Sequence, residues 1–188
     1  VAQLMKYNKK FVIIGNQNAL TYKEIFHFIK ENILWLGYKF GDMKFRVPDY
    51  YEARTTRFWI DEHGKKWRSL GNICWYTNLD TTKRHEYLTL YKHYTPEEYP
   101  KYDNYNAINV NKYAEIPYDY DGFMGVPITF LDKYNPEQFE ILGLAASAGY
   151  KPEIVGIPFL GTKDARPLIN GKNTYARIFI RRRTLNEN

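Results

Sequence analysis

The chain has 188 residues, 44% hydrophobic and 26% charged, which suits one sizeable soluble domain with or without an appendage. Its composition excludes a membrane span, a secretory signal, a disulfide framework and the common cysteine or histidine metal motifs, so we expect a cytoplasmic protein. The net charge of +6 is compatible with an anionic partner such as nucleic acid, which charge alone does not establish.

The first part of the chain predicts a strand, a helix and a second strand. The sequence does not begin with Met, and residues 1–5 resemble the interior of a helix, so we expect a piece of a longer chain. The apolar run 11–15 is typical of a buried parallel strand. Thr21 and Glu24 fit a capping box at a helix start, and the short apolar run 34–38 follows. This order predicts a βαβ unit of a parallel sheet.

The next stretch predicts a hairpin inserted into that sheet. Residues 56–60 have the composition of a short strand, and residues 61–66 form a charged, glycine-containing turn before a returning strand. Residues 73–79 predict a further strand, antiparallel and at the sheet edge. We therefore assign residues 1–80 to an α/β half-sheet with an inserted hairpin.

Residues 81–188 predict an appended α+β region. The stretch up to residue 121 is polar and rich in loops, with Tyr concentrated among Asn and Lys. A strand is predicted over 126–131, a helix from Pro136 to about Leu144, and a terminal strand over 175–180.

Several sequence blocks occur in the order found in one enzyme family. The blocks cover nearly the whole chain and comprise residues 9–24, 33–37, 75–80, 99–105, 124–140, 169–172 and 175–178. In these blocks the chain resembles the EcoRI-type adenine-specific DNA modification methylases, and their shared order argues against chance.

The resemblance implies methyl transfer from S-adenosylmethionine to N6 of adenine in duplex DNA, within a restriction-modification system. It implies that residues 1–80 are the second half of a Rossmann-like methyltransferase sheet and residues 81–188 a target-recognition region. The family's Asn/Asp-Pro-Pro-aromatic catalytic motif and its glycine-bearing cofactor loop do not occur in this sequence, since Asn135-Pro136 is followed by Glu137. We therefore expect no catalytic residue here, no activity of the chain alone, and S-adenosylmethionine bound tightly only by the intact enzyme.

The resemblance to a DNA enzyme gives candidate contact residues. Asn16, Gln17 and Asn18 follow the first strand, so they could line a pocket for a flipped adenine or could simply cap the next helix. Basic residues of the hairpin and the carboxyl terminus could hold phosphates or could be solvated charges. These basic residues are Arg54, Arg57, Lys65, Lys66, Arg68, Arg181, Arg182 and Arg183.

Residues 101–112, here called the Tyr/Asn segment, are the predicted base-recognition element. Asn can pair bidentately with an adenine edge, and Tyr suits base stacking, although Tyr also suits protein cores. The candidate contacts in this segment are Lys101, Tyr102, Asn104, Tyr105, Asn106 and Asn109.

Two other functions fit the same sequence. One is a non-catalytic DNA-binding module from a truncated methylase gene, and the other is an interaction protein that completes a sheet supplied by another chain. In either case the missing half of the sheet would leave an open strand edge, which predicts self-association or pairing with a complementing chain.

Overall fold

The structure, a computed structural model, describes residues 1–146, 155–161 and 165–183. The chain divides into two units, whereas the sequence predicted a single division at residue 80. The first unit comprises Val1–Leu20 and Leu34–Leu79, and the second comprises Thr21–Ile33 and Asp80–Asn188. No helix within the described ranges is long and apolar enough to cross a membrane.

The first unit contains a short helix and a four-stranded antiparallel sheet. Its elements are α1 (Ala2–Lys6), β1 (Val12–Asn16), β2 (Trp35–Arg46), β3 (Phe58–Ile60) and β4 (Lys66–Thr77). Strand β4 is central, with β2 along one side and β1 and β3 in succession along the other. Strands β3 and β4 pair as an antiparallel hairpin, but the predicted insertion of a hairpin into a parallel sheet is not confirmed, and β4 is central rather than at the edge.

The prediction of a buried parallel strand over residues 11–15 is wrong. Strand β1 pairs antiparallel with β4, and Val12 and Ile14 are about half exposed (51% and 46%). Strands β1 and β2 do run in the same direction, but β4 lies between them, so they do not form a βαβ unit of adjacent strands. A short apolar run does not reveal which neighbour it will pair with. The second half of a Rossmann-like sheet is therefore not confirmed.

Cys74 marks the buried middle of this sheet. Its side chain is 0% exposed, and it pairs with Gly15 of β1 on one side and Phe40 of β2 on the other. Burial raises the pKa of the Cys74 thiol above its ordinary value.

The described residues of the second unit form one α-helix, a mixed sheet and a small hairpin, so the chain belongs to the α/β class. Its elements are α2 (Lys23–Lys30), β5 (Ile108–Asn109), β6 (Met124–Pro127), β7 (Phe139–Ala145), β8 (Leu168–Ile169), β9 (Lys172–Asn173) and β10 (Arg177–Arg182). The sheet order is β5-β6-β10-β7, in which β5 and β6 are parallel and the other pairs antiparallel, while β8 and β9 pair separately. Short 3-10 helices span Gln17–Thr21, Thr82–His85, Tyr113–Glu115 and Ile128–Lys133.

Two predicted helix starts differ in the structure. The N-cap of helix α2 is Tyr22, which makes no side-chain capping bond, so the helix begins one residue later than the predicted cap Thr21. At Asn135 the side-chain oxygen accepts a hydrogen bond from the Glu137 N–H (2.8 Å), and the chain then enters β7 instead of a helix. Asn and Pro favour turns as well as helix starts, and the alternating burial in β7 follows the period of a strand.

Strand β10 confirms the predicted terminal strand, and it lies at the centre of the core of the second unit. Ile178, Phe179 and Ile180 are all fully buried. The Phe179 ring contacts Tyr102 edge-on at 5.8 Å between centroids and Tyr105 at 4.8 Å. The Tyr/Asn segment therefore contributes to this core. The other predicted strand, over 126–131, ends earlier, at the end of β6.

Candidate nucleic-acid interface

The net positive charge of the chain belongs to the first unit. The residues of that unit include 11 Lys and Arg against 5 Asp and Glu, which gives +6. The residues of the second unit include 16 of each kind, which gives zero. Proteins bind nucleic acids chiefly through Lys and Arg contacts to phosphates. The first unit is therefore the part of the chain that suits a nucleic-acid interface.

The sheet of the first unit has two different faces where β2, β4 and β3 lie side by side. Residues directly opposite one another on antiparallel strands share a face, and neighbours along a strand alternate. One face carries the row Phe45, Arg68 and Phe58, which we call the covered face. The other carries the row Arg46, Trp67 and Trp59 with Lys44 and Ser69 in the next row, which we call the open face.

The covered face binds the loop of residues 48–54. Tyr51 stacks on Phe58 with 6.4 Å between ring centroids, and its hydroxyl accepts a hydrogen bond from the Arg68 guanidinium, which lowers the pKa of Tyr51. The Lys66 ammonium donates to the backbone carbonyls of Asp49 and Tyr51 (2.5 and 2.9 Å). Lys66 and Arg68, predicted as phosphate contacts, therefore hold this loop.

The open face combines aromatic rings with cations. The rings of Trp59 and Trp67 lie 6.3 Å apart between centroids with 10° between their planes, and Trp59 remains 36% exposed. The Lys44 ammonium lies 5.8 Å from the Trp59 ring centroid. Arg46 is exposed and has no ion-pair partner among the described residues. A cation beside an indole face is favourable, and both groups remain accessible to a ligand.

The turn between β3 and β4 fixes the Trp67 ring on the open face. The Trp67 indole N–H donates to Asp61 Oδ2 (2.8 Å), while Asp61 Oδ1 accepts from the N–H groups of His63 and Lys65 (3.0 and 2.8 Å). The indole bond, followed by the backbone bonds, holds the pKa of the Asp61 carboxyl below its ordinary value. The Trp67 ring is therefore held in place on the open face by hydrogen bonds within the chain.

The remaining predicted hairpin cations lie in different surroundings. Arg57 is exposed, pairs with Asp42 (2.8 Å), and lies over Gly71, where a Cβ would approach the guanidinium to 2.5 Å. Arg54 is exposed, 5.9 Å from the Tyr51 ring centroid, and Lys65 is half-buried in the turn. Arg54 and Arg57 are therefore accessible members of this region.

The three amide residues at the end of β1 and just beyond it are engaged in a turn. Asn16 Oδ1 accepts from the Asn18 N–H (2.8 Å), and the Asn16 carbonyl accepts from the Tyr76 hydroxyl (2.8 Å). The Gln17 side chain donates to the Ile73 carbonyl (3.0 Å). Asn16 and Asn18 are exposed.

Four of the six candidate contacts in the Tyr/Asn segment are buried, against the base-recognition prediction. Tyr102 and Asn109 are each 4% exposed. Asn109 Oδ1 accepts from both the Tyr102 hydroxyl (2.7 Å) and the buried Arg177 guanidinium (3.1 Å), and burial raises the pKa of Tyr102 above its ordinary value. These side chains do not reach a DNA base in this conformation.

The same segment holds the chain around residues 165–171. Asn104, 3% exposed, donates to the Arg166 carbonyl and accepts from the Leu168 N–H (2.8 and 2.9 Å). Tyr105, 1% exposed, donates to the Ala165 carbonyl (2.6 Å). Of the predicted contacts in this segment, Lys101 and Asn106 are exposed.

The carboxyl-terminal arginines are not a free basic tail. Arg181 pairs with Glu140 (2.7 Å) and Arg182 with Asp121 (2.8 Å). Arg183 donates from Nε to the Pro136 carbonyl (2.8 Å). The charges of Arg181 and Arg182 are therefore paired with carboxylates of the second unit, and Arg183 is bonded to a backbone carbonyl of the same unit.

The open face was not predicted from the sequence. Lys44, Arg46, Trp59 and Trp67 come together only through the register of three strands. The sequence contained one signal for this face. It consists of two basic residues two positions apart, Lys44 and Arg46, followed by Trp59 and Trp67 on either side of a turn. Without the register, that signal did not show which face they share.

A basic, aromatic surface on an α/β scaffold is typical of proteins that act on nucleic acids, and sequence comparison is consistent with this class. A profile of the family described as "Adenine-specific methyltransferase EcoRI" matches residues 1–183, and the chain belongs to this family. No solved structure matches the chain significantly.

The curated relatives are type II methyltransferases. The chain is 49% identical to the type II methyltransferase M.EcoRI of Escherichia coli over 97% of this chain and 53% of that protein. It is 37% identical to M.MgeORF184P of Mycoplasma genitalium over 97% of this chain and 60% of that protein. It is 36% identical to M.MpnI of Mycoplasma pneumoniae over 78% of this chain and 48% of that protein. The chain thus spans about half the length of these relatives.

Two glycines of the second unit do not offer the space that the nucleotide loop of a cofactor site needs. A nucleotide cofactor loop uses glycines whose missing Cβ leaves room for the ligand. Here Gly143 lies against the Val155 carbonyl and Gly156 against the Leu142 carbonyl, so protein backbone fills that space.

Proposed function

We propose that this chain supplies scaffold and DNA contacts to an adenine-N6-specific DNA methyltransferase of a cytoplasmic restriction-modification system. In the intact enzyme, S-adenosylmethionine supplies the methyl group. The observation that carries the proposal is the confinement of the net charge of +6 to the unit that presents the open face. The 188 residues contain no Asn/Asp-Pro-Pro-aromatic motif, so they alone do not transfer a methyl group.

Lys44 and Arg46 carry the phosphate contacts in this proposal. They lie two positions apart on β2, and alternation along the strand places both on the open face. Arg46 has no carboxylate partner within the described ranges, so a phosphate can bind it without first displacing a protein anion. Arg54 is exposed in the same unit and extends the positive surface, whereas Arg57, also exposed, is already paired with Asp42.

Exposed amides are the remaining candidates for contact with bases. Asn106 and Lys101 are the accessible ones among the candidate contacts of the Tyr/Asn segment, and Asn16 at the end of β1 and Asn18 just beyond it are also exposed. We propose Asn106 as a base contact and Asn16 and Asn18 as contacts to the extruded adenine.

A salt series tests the electrostatic part of the proposal. Fluorescence anisotropy with a labelled duplex should show affinity falling by about 0.9 log units per log of salt for each phosphate contact. Replacing both Lys44 and Arg46 with Ala should weaken binding to all duplexes alike and flatten the slope. Lys172→Ala, an exposed site on the second unit, is the matched control and should change neither quantity. An unchanged slope in the double variant would contradict the proposal.

A transfer assay tests the enzymatic part. The chain incubated with tritium-labelled S-adenosylmethionine and mixed-sequence duplex DNA should incorporate no label. A longer polypeptide that adds the upstream half of the family to the same chain should label adenine. Incorporation by the 188 residues alone would overturn the assignment of catalysis to residues outside them.

A further inference from the structure

We propose that the open face is a stacking site for an unpaired DNA base, in which Trp59 and Trp67 contact the base and Lys44 and Arg46 the adjoining phosphates. This inference rests on the proposed function, and it adds the form of DNA that the surface recognises. The observations that carry it are the nearly parallel indole pair with Trp67 held by Asp61, the cations beside it, and the exposure of Trp59, Lys44 and Arg46.

The indole pair costs little to order when a ligand binds. The rings are nearly parallel, and the Trp67 ring is held by its bond to Asp61, which two backbone N–H groups hold in turn. A large aromatic ring with few rotatable bonds loses little conformational freedom on binding. Trp59 is 36% exposed although it is large and apolar, so its free surface is available to a second flat ring.

The charges beside the rings favour a nucleotide over an apolar protein side chain. Lys44 and Arg46 lie on the same face as the two indoles, and Arg57 lies nearby over Gly71. Asp42, the acid nearest to them along β2, is already paired with Arg57 (2.8 Å). A nucleotide offers a flat ring and an anion at short separation, which matches this arrangement, and every base has a face that can stack on an indole.

An unpaired base is required because bases within a duplex are covered on both faces by their neighbours. Enzymes that modify a base inside a duplex extrude it from the stack, so the proposed reaction itself creates unpaired bases. The open face can hold such a base while the cations hold its strand.

An abasic control separates stacking from phosphate binding. The probes are a labelled short oligothymidine and an abasic strand of the same length, measured by fluorescence anisotropy with the full chain. The intact strand should bind about tenfold more tightly than the abasic strand, since stacking on an aromatic side chain has about that effect per base. Trp59→Ala should remove this difference, Trp59→Phe should retain most of it, and Lys44→Gln should weaken both strands equally.

The outcomes distinguish this inference from the proposed function. Equal binding of intact and abasic strands by the wild-type chain would overturn the stacking site, while salt-dependent duplex binding would still support the proposed function. A Trp59→Ala chain with an unchanged urea midpoint and unchanged preference for the intact strand would also overturn it. A preference for the intact strand that Trp59→Ala abolishes would support stacking even if duplex binding were absent.

Discussion

The β3–β4 hairpin and the Tyr/Asn segment contain similar residues and use them in opposite ways. In the hairpin region, Trp59 is 36% exposed, and Lys44 and Arg46 lie on the same open face. In the Tyr/Asn segment, Tyr102 and Asn109 are 4% exposed and bind each other. Aromatic and polar composition therefore does not separate a recognition surface from a core held by hydrogen bonds. The partners of the polar atoms make that distinction.

The two units also differ in how many of their cations are paired with carboxylates. In the second unit Lys83 pairs with Asp132, Arg181 with Glu140 and Arg182 with Asp121. In the first unit the described residues include one such Arg–carboxylate pair, Arg57 with Asp42. Paired cations stabilise their own unit, whereas cations without a carboxylate partner are available to an external anion.

The largest effect on the free energy of unfolding should come from a substitution in the buried part of the Tyr/Asn segment. Tyr105→Ala should lower the free energy of unfolding by about 3–5 kcal/mol, because it empties the site of a fully buried ring. Tyr105 also donates a hydrogen bond to the Ala165 carbonyl. Urea denaturation measures the change. Tyr175→Ala, at an 88% exposed position, should stay within about 0.5 kcal/mol of the wild type. Equal effects at the two positions would contradict the assignment of Tyr105 to the core of the second unit.

A smaller loss is expected at Asn109, which serves two donors. Asn109→Ala leaves the Tyr102 hydroxyl and the Arg177 guanidinium without their shared acceptor, so unfolding should become easier by about 1–3 kcal/mol. The matched variant is Asn106→Ala, at an exposed position, which should leave the urea midpoint unchanged. If Asn109→Ala kept full stability and lost discrimination among duplexes, the base-recognition role of Asn109 would be restored.

Two lysines of the first unit should separate stability from binding. Lys66→Ala removes two hydrogen bonds to the 48–54 loop and should cost about 1 kcal/mol of unfolding free energy, with little change in the salt slope of DNA binding. Lys44→Ala should do the reverse. Urea denaturation and anisotropy on the same two proteins give the result. A steep loss of DNA affinity in Lys66→Ala at unchanged stability would assign phosphate contact to the covered face.

The smallest expected effect concerns the paired histidine of the second unit. His85 contacts Asp80 (2.8 Å), whose hydrogen bond and charge raise the pKa of His85 above its ordinary value of 6.5. The stabilisation is fully present below the unfolded pKa and is lost as pH rises through the raised folded pKa. In an NMR titration of the His85 ring, Asp80→Asn should return the midpoint toward the ordinary value. A midpoint that Asp80→Asn does not move would show that Asp80 is not its cause.

The sequence predicted the family and several strands, because both depend on local order. The family was recognised from sequence blocks in a shared order, and this recognition does not depend on the fold. The hairpin of β3 and β4 follows from two strand-like runs around a glycine turn. The direction of pairing was wrong for residues 11–15, since an apolar run has no information about its neighbour. The helix predicted from Pro136 was wrong because the Asn135 side chain caps a turn as readily as a helix.

The candidate interface was less predictable than the fold. Arg54 and Arg57 are exposed, whereas Lys66 and Arg68 hold a loop and four of the six candidate contacts in the Tyr/Asn segment are buried. Which lysine faces a ligand depends on strand register, and a shift of one residue exchanges the two faces. The register across β2, β4 and β3 is a tertiary property that composition does not contain.

The position of Cys74 gives the chain an internal reporter. It is the one cysteine in the sequence, it lies on the central strand β4, and its thiol is fully buried with a raised pKa. Alkylating reagents attack the thiolate, so the folded chain should react very slowly. The rate of alkylation under native conditions should therefore time the local opening of the first unit alone, with no label introduced, and should be silent about the unit that holds Tyr105.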